Sequence, residues 1–365
     1  MDDKKTTIQP LRVRRNPVII GTGLVALDVV IPNGLNKRPQ LCAGGTCGNV
    51  LTAMAFLGWG SYPIARLSED GASKHVADDL RYWGVNLDFV TFDVDGSTPV
   101  VIQHIRNSQS GEPAHSFSRK CPGCGAILPW YKAVRVAEIS NLVPRLPKAQ
   151  VVFFDRTSRG ALSLAQQGRD EGAIVFFEPS ASSDPNHLEE ALSLAHIVKL
   201  SSDRLSGNEA VLTATKPKVI IVTEGSSGLR LRLNTDRKRG VCEWHKMPRI
   251  PVETLRDTAG AGDWCTAGII HMLGAKGASG IDILTLEDLR KAVQVGQAMA
   301  SWTCSFDGSR GGMYVSSKKE FQKSVCGILN GRTRPVVEIK KSAVIAREGM
   351  KFVCESCVAG SSQEN

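Results

Sequence analysis

The stretch Arg256-Asp-Thr-Ala-Gly-Ala-Gly-Asp263-Trp-Cys-Thr gathers groups able to handle an anion. Ala259, Gly260, Ala261 and Gly262 are small enough to let the backbone approach a ligand closely, and an apolar helical pattern starts directly after them. The first amides of a helix have no intrahelical acceptor, and the positive end of the helix dipole lies at the same place, so such a turn is an anion hole. Asp263 falls on the first turn of that helix. A carboxylate beside a phosphate site can take the proton of an attacking alcohol. Taken alone, Gly-x-Gly-Asp also suits a plainer role, an Asp capping a helix after a glycine turn.

Sulfur forms a second constellation. Cys121-Pro-Gly-Cys124-Gly and Cys354-Glu-Ser-Cys357 each put two thiolates on a tight turn, and two such turns supply the four ligands of tetrahedral zinc. The pairs are far apart in sequence, so a shared metal requires the tail to return to the 107–131 loop. The other reading is two independent pairs, reduced or redox-active. His115 is near the first pair and is expected to be a solvated loop residue.

Asp-Thr-Ala-Gly-Ala-Gly-Asp263 closely resembles a signature of the ribokinase-like (PfkB) carbohydrate kinases, and Gly44-Gly45-Thr-Cys-Gly-Asn49 resembles a second signature of that family. Both occur in the expected order, and the resemblance spans residues 17–315. It implies a three-layer αβα sandwich with a small β-sheet lid and ATP-dependent phosphorylation of a hydroxymethyl group on a sugar or nucleoside. In this reading Asp263 is the catalytic base, and the amides of Ala259, Gly260, Ala261 and Gly262 hold charge on the transferred phosphoryl group. Asp28, Gly44, Gly45 and Asn49 line the acceptor pocket, the glycines because a bulky side chain would block the ring. Thr223, Gly225 and Gly228 contact the nucleotide, Asp257 helps place a potassium ion, and magnesium accompanies ATP. The family's lid also suggests a homodimer.

The chain departs from the family's pattern after the strand ending at Val198-Lys199. Ser201 and Arg204 stand where the family usually has Asn and Glu of an element that organises magnesium, and Phe177-Glu178-Pro replaces a more usual Asp-Pro-Asn segment. A non-catalytic nucleotide or sugar sensor of the same fold is the alternative. A Gly-x-x-x-x-Gly-Lys loop and a protein-kinase His-Arg-Asp loop are absent, and Gly21-Thr-Gly23 lacks the third glycine of a dinucleotide fingerprint.

Alternating strand and helix patterns must position these groups. Residues 17–30 read as one continuous buried strand, followed by a helix over 49–57, a strand near 61–66, a helix at 72–83 and extended segments at 87–92 and 98–106. From 150 onward strands at 151–155, 173–178, 197–200 and 219–223 alternate with helices at 159–171, 186–195 and 206–215. A small antiparallel excursion follows at 229–233 and 242–247, then helices at 262–273, 286–304 and 318–329. This predicts a parallel sheet covered on both faces. The expected organisation is a basic arm at 1–16, a kinase domain at 17–331 with lid segments near 29–43 and 96–131, and a 332–365 tail docked through zinc on the 107–131 loop. The tail is expected to be strand-like at 336–339 and 352–353.

Composition agrees with a globular enzyme: of 365 residues, 42% are hydrophobic and 22% charged, which excludes a wholly disordered or fibrous chain. The formal charge of +9 is concentrated in the termini, leaving a nearly neutral body, so a nucleic-acid partner is not expected. No apolar run is long enough for a membrane span and the first residues lack a signal peptide's apolar stretch. Ten cysteines, mostly scattered, fit a reducing cytoplasm.

Overall fold

The computed structural model describes residues 16–33, 39–107, 113–179, 184–234, 242–332 and Cys354. In chain order, β1 (Val18–Thr22), β2 (Ala26–Ile31) and β3 (Gln40–Gly44) precede α1 (Thr46–Phe56), β4 (Gly60–Leu67) and α2 (Gly71–Tyr82). Next come β5 (Val90–Phe92), β6 (Val100–Asn107), β7 (Pro113–Ser118), α3 (Val136–Leu142), β8 (Val151–Phe154) and α4 (Arg159–Asp170). The chain continues through β9 (Ile174–Phe177), α5 (Pro185–Leu194), β10 (Ile197–Ser201), α6 (Ala210–Thr213), β11 (Val219–Thr223), β12 (Leu229–Leu233) and β13 (His245–Met247). It closes with α7 (Ala261–Leu273), α8 (Ala278–Asp282), α9 (Leu286–Thr303), α10 (Gly311–Val315) and α11 (Lys318–Leu329).

The larger sheet has nine strands in the order β13-β12-β11-β10-β9-β8-β1-β4-β5. Strands β1, β4, β5 and β8 to β11 are parallel, while β12 and β13 are antiparallel additions at one edge. Side chains alternate between the faces of a strand. Val151, Phe153, Ile174, Phe176, Ile197, Val219 and Ile221 therefore pack with α1, α7 and α9. Their neighbours Phe154, Val175, Phe177, Val198, Leu200, Ile220 and Val222 pack with α4 and α5. Burial on both faces is why these strands read as unbroken apolar runs. The result is the expected three-layer α/β sandwich.

The smaller sheet is β3-β2-β6-β7. Two details of it differ from expectation. The run 17–30 is two strands in two sheets, because the backbone turns at Gly23 with φ 145°. A Cβ on Gly23 would lie 1.6 Å from Asp155 Oδ1, the oxygen that accepts a hydrogen bond from the Leu24 amide at 2.9 Å. The lid segments therefore begin at Ala26 rather than near residue 29. Within the expected 107–131 loop, residues 113–118 form β7 against β6. The helix expected at 206–215 is only the short α6, and α3, α8 and α10 had no clear signal in the sequence. Residues 1–15 of the basic arm and the strand-like tail segments lie outside the described residues.

Candidate active site

The carboxyl ends of β8, β9, β10 and β11 open on one side of the large sheet, where ligands bind in open α/β folds. The turn at 257–262 and the start of α7 meet these ends. Gly260 takes the left-handed conformation at φ 74°, and a Cβ there would lie 2.5 Å from that of Ser309, so only glycine fits. The Ala259 amide donates to Asp257 Oδ1 at 3.0 Å and the Ala261 amide to the Thr258 carbonyl at 3.2 Å. Among the described residues, the fold leaves the Gly260 and Gly262 amides for a ligand. Of the four amides expected from sequence, those of Ala259 and Ala261 thus have acceptors within the chain.

Beneath Gly262 lies a buried ion pair. Lys199 Nζ donates to Glu178 Oε1 at 2.7 Å, and the Thr266 hydroxyl donates to Glu178 Oε2 at 2.5 Å. A Cβ on Gly262 would sit 3.7 Å from Lys199 Nζ and 3.8 Å from Glu178 Oε1, which places the pair against the floor of the turn. Sequence reading singled out Glu178 only as a departure and passed over Lys199. The available signal was a lysine inside the apolar strand Ile197-Val-Lys-Leu.

Asp263 stands on the first turn of α7. The Asn49 amide Nδ2 donates to its Oδ2 at 2.8 Å, and Asn49 Oδ1 accepts from the Ser309 hydroxyl at 3.3 Å. Burial, then the Glu178 carboxylate, push the Asp263 carboxyl above the usual range, while Asn49, Lys199 and Arg204 pull it down. Such a carboxylate is a better proton acceptor than a solvated one.

Asn49 follows the Gly44-Gly45 pair on α1, and its backbone amide donates to the Gly45 carbonyl at 2.8 Å. A Cβ on Gly44 would lie 2.0 Å from the Asp28 carboxyl carbon, and one on Gly45, at φ 75°, would meet the Leu24 carbonyl at 2.4 Å. The two glycines thus make room for Asp28 and for the chain's own turn. Burial raises the Asp28 carboxyl to about 7, against the lowering influence of Arg310 and the Gly45 amide. Arg310 itself is fully buried and donates to the Ala43 carbonyl and, at 2.5 Å, to Asp79 Oδ2. The Tyr314 hydroxyl and the Ala43 amide also donate to Asp79. Arg310 and Asp79 were not anticipated.

Asp257 serves as a junction. Its Oδ1 receives the Ala259 amide and His115 Nδ1, the latter at 3.0 Å, and its Oδ2 receives Gln103 Nε2 at 2.5 Å and the Gly308 amide at 2.9 Å. Burial alone would raise its carboxyl, but these donors together hold it below the usual range. The carboxylate is fixed in orientation by these contacts at the start of the anion turn. It ties the turn to β6, β7 and the 308 loop. His115, expected in solvated loop, reaches into this junction from β7 and also meets the Thr258 hydroxyl at 3.3 Å.

Thr223 ends β11, its hydroxyl donating to the Leu200 carbonyl at 3.4 Å, and Gly225 and Gly228 shape the following turn. Gly228, at φ 96°, would bring a Cβ to 2.3 Å from the Met247 carbonyl, so it serves the β12–β13 hairpin. Ser201 caps the short turn 202–204, accepting from the Asp203 amide at 3.3 Å. Cys121, Cys124 and Cys354 are brought together, whereas Cys357 lies outside the described residues. No described helix is long and apolar enough to cross a membrane.

Residues 136–313 match the family model described as pfkB family carbohydrate kinase. A fructokinase of Klebsiella pneumoniae is 26% identical over 282 residues, covering 71% of this chain and 84% of that protein. Among solved structures, a fructokinase with bound ATP from Xylella fastidiosa superimposes with a TM-score of 0.64 at 18% identity, over 87% of this chain and 99% of that one. An aminoimidazole riboside kinase from Salmonella enterica, complexed with aminoimidazole riboside and an ATP analog, gives 0.61 at 20% identity, over 84% and 99%. The ribokinase-like fold expected from sequence is the fold observed.

Proposed function

We propose that this chain, a carbohydrate kinase of the PfkB type, transfers the terminal phosphoryl group of ATP to a hydroxymethyl group of a sugar. The observation that carries the reading is the Asp263 carboxylate, fixed by Asn49 beside a turn with two unclaimed amides. The acceptor hydroxyl donates to Asp263, which takes its proton as the oxygen attacks. The Gly260 and Gly262 amides and the dipole of α7 face the charge that grows on the phosphoryl oxygens. Asn49 holds the carboxylate in one orientation, and Asp28 accepts hydrogen bonds from other hydroxyls of the sugar. The adenine nucleotide lies along the ends of β10 and β11, near Thr223, Gly225 and Gly228.

Magnesium, when bound, neutralises charge on the ATP phosphates. Both oxygens of Glu178 are engaged, and Arg204 replaces the family's usual Glu. These residues fit an ion carried mainly by phosphate and water, as magnesium commonly is, better than one caged by protein carboxylates. The zinc expected from sequence has no part in phosphoryl transfer. The smaller sheet, which exposes Phe117 on β7, supports the homodimer reading. The sensor alternative lacks support, because base, anion turn and acceptor carboxylate are all retained.

The test is ADP formation from ATP across a panel of sugars, sugar phosphates and nucleosides. Sugar-dependent turnover that Asp263→Asn strongly lowers is the expected result. Tight binding of ATP and sugar with no turnover on any acceptor would transfer the reading to a sensor.

A further inference from the structure

We propose that Cys121, Cys124 and Cys354 bind a structural zinc ion that ties the chain at Cys354 to the turn after the small sheet. The site is independent of the phosphoryl-transfer groups and of the kinase reading. Its three described sulfurs lie within 4.8 Å of one another, and Cys124 Sγ is 3.6 Å from Cys354 Sγ. Ligands on a tetrahedral zinc with bonds of about 2.3 Å are separated by about 3.8 Å. A disulfide would require roughly 2.0 Å, so the geometry points to a metal rather than a bond.

The turn around the first pair is built for this. The Gly125 amide donates to the Cys121 carbonyl and the Cys121 amide to the Ala126 carbonyl, both at 2.8 Å. Gly125 has φ 76°, and open space surrounds the position a Cβ would take, so glycine is needed there for backbone conformation alone. A bridge between Lys120 and Ile127 closes the turn. Cys121 and Cys354 are each 3% exposed and share an apolar cluster with Leu128 and with Val100 and Ile102 of β6. Cys354 is thus brought to the first pair from beyond α11. In the sequence, Cys357 completes a Cys-x-x-Cys spacing with Cys354 and is the candidate for the fourth sulfur. Each thiol gives up its proton on binding, so affinity rises with pH.

The clamped turn follows β7 directly, and β7 carries His115 to Asp257 at the base of the anion turn. Metal binding at this turn therefore lies next to the strand that carries His115. Purified full-length protein, prepared under reducing conditions without added metal, should contain about one zinc per chain by elemental analysis. Replacing zinc with cobalt(II) should give the absorption of tetrahedral thiolate coordination. Cys124→Ser and Cys357→Ser should each lose most of the metal, whereas Cys242→Ser should keep it. In the metal-free protein, hydrogen exchange should accelerate at residues 119–128 while β8 to β11 stay protected. Wild-type protein that takes up neither zinc nor cobalt after full reduction would overturn the proposal. So would a Cys124–Cys354 disulfide persisting in reductant, or full zinc content in both serine variants. None of these measurements depends on turnover, so a failure here leaves the kinase reading standing.

Discussion

The two halves of the site handle charge in opposite ways. Below the anion turn every buried charge has a partner: Lys199 and Glu178 face each other at 2.7 Å and Thr266 takes the remaining carboxylate oxygen. On the small sheet, Asp28 has no ion-pair partner in contact among the described residues. Its nearest cation, Arg310, is committed to Asp79 and Ala43, and burial keeps the Asp28 carboxyl near 7. The first arrangement is a finished electrostatic floor that needs no rearrangement when charge develops above it. The second is unfinished, a desolvated acceptor that holds the Gly45 amide and has room for hydrogen bonds from a ligand. On the proposed function, the difference separates a part that serves phosphoryl transfer to any acceptor from a part that can select the acceptor.

The sharpest way to break this contrast is at Asp263, which joins the halves through Asn49. Asp263→Asn should keep the fold and ATP affinity and lower kcat by about 10²–10⁴-fold, the usual worth of a general base. Steady-state kinetics and nucleotide titration measure both. Wild-type turnover in the variant would remove Asp263 from the mechanism.

The paired floor should respond differently. Lys199→Met strands the Glu178 carboxylate in the interior, at a cost of about 3–5 kcal/mol in denaturant unfolding. The double variant Lys199→Met with Glu178→Leu should recover most of that stability, since it removes both charges, yet remain slow in turnover. If the single variant were as stable as wild type, the pair would not be the buried partnership described.

At the unfinished half, Asp28→Ala should raise KM for the sugar while ATP affinity stays nearly constant. Loss of an acceptor that leaves substrate hydroxyls unpaired costs about 1–3 kcal/mol, or roughly 5–150-fold. An equal loss of ATP affinity would make Asp28 a structural residue. Gly44→Ala tests the same point from the other side, because its Cβ would occupy the place of the Asp28 carboxyl.

The halves were also unequally legible in the sequence. Asp263, Gly260 and Asn49 were readable because a glycine turn leading into a helix is a local device, and its spacing survives in one dimension. The covered parallel sheet was legible as well, because the apolar runs of β8 to β11 displayed burial on both faces, whereas the order of the strands was not. Glu178 and Lys199 meet only because β9 and β10 are neighbours, with Phe177 opposite Val198. Asp257 meets His115 and Gln103 through the pairing of β6 and β7 and the placement of that sheet. Such contacts depend on tertiary register, which no local pattern encodes. The break at Gly23 was hidden for a related reason. Both strands on either side of it are buried, so the apolar run continued across a change of sheet, and only the approach of Asp155 explains the glycine.

The smallest effect expected is a slope of stability against pH, and it bears on whether Asp28 is truly desolvated. Its ordinary value of 3.8 is raised to about 7 in the folded chain, first by burial. Between those values the folded protein binds a proton that the unfolded chain has released. Unfolded chains then carry fewer protons than folded ones, so stability must fall as pH rises through this window. Below about pH 4 both states are protonated, and above about pH 7 both are ionised, so the contribution is flat outside it. Asp28→Asn cannot titrate and should show a shallower decline of the urea midpoint across the same range. The decline should not vanish, because burial shifts Asp263 in the same direction. Saturating sugar should shrink the wild-type slope as well, since hydroxyls that donate to the carboxylate lower its affinity for the proton. Parallel slopes for wild type and Asp28→Asn would mean that Asp28 is solvated like an ordinary carboxylate, and the contrast between the paired and the unfinished half would collapse.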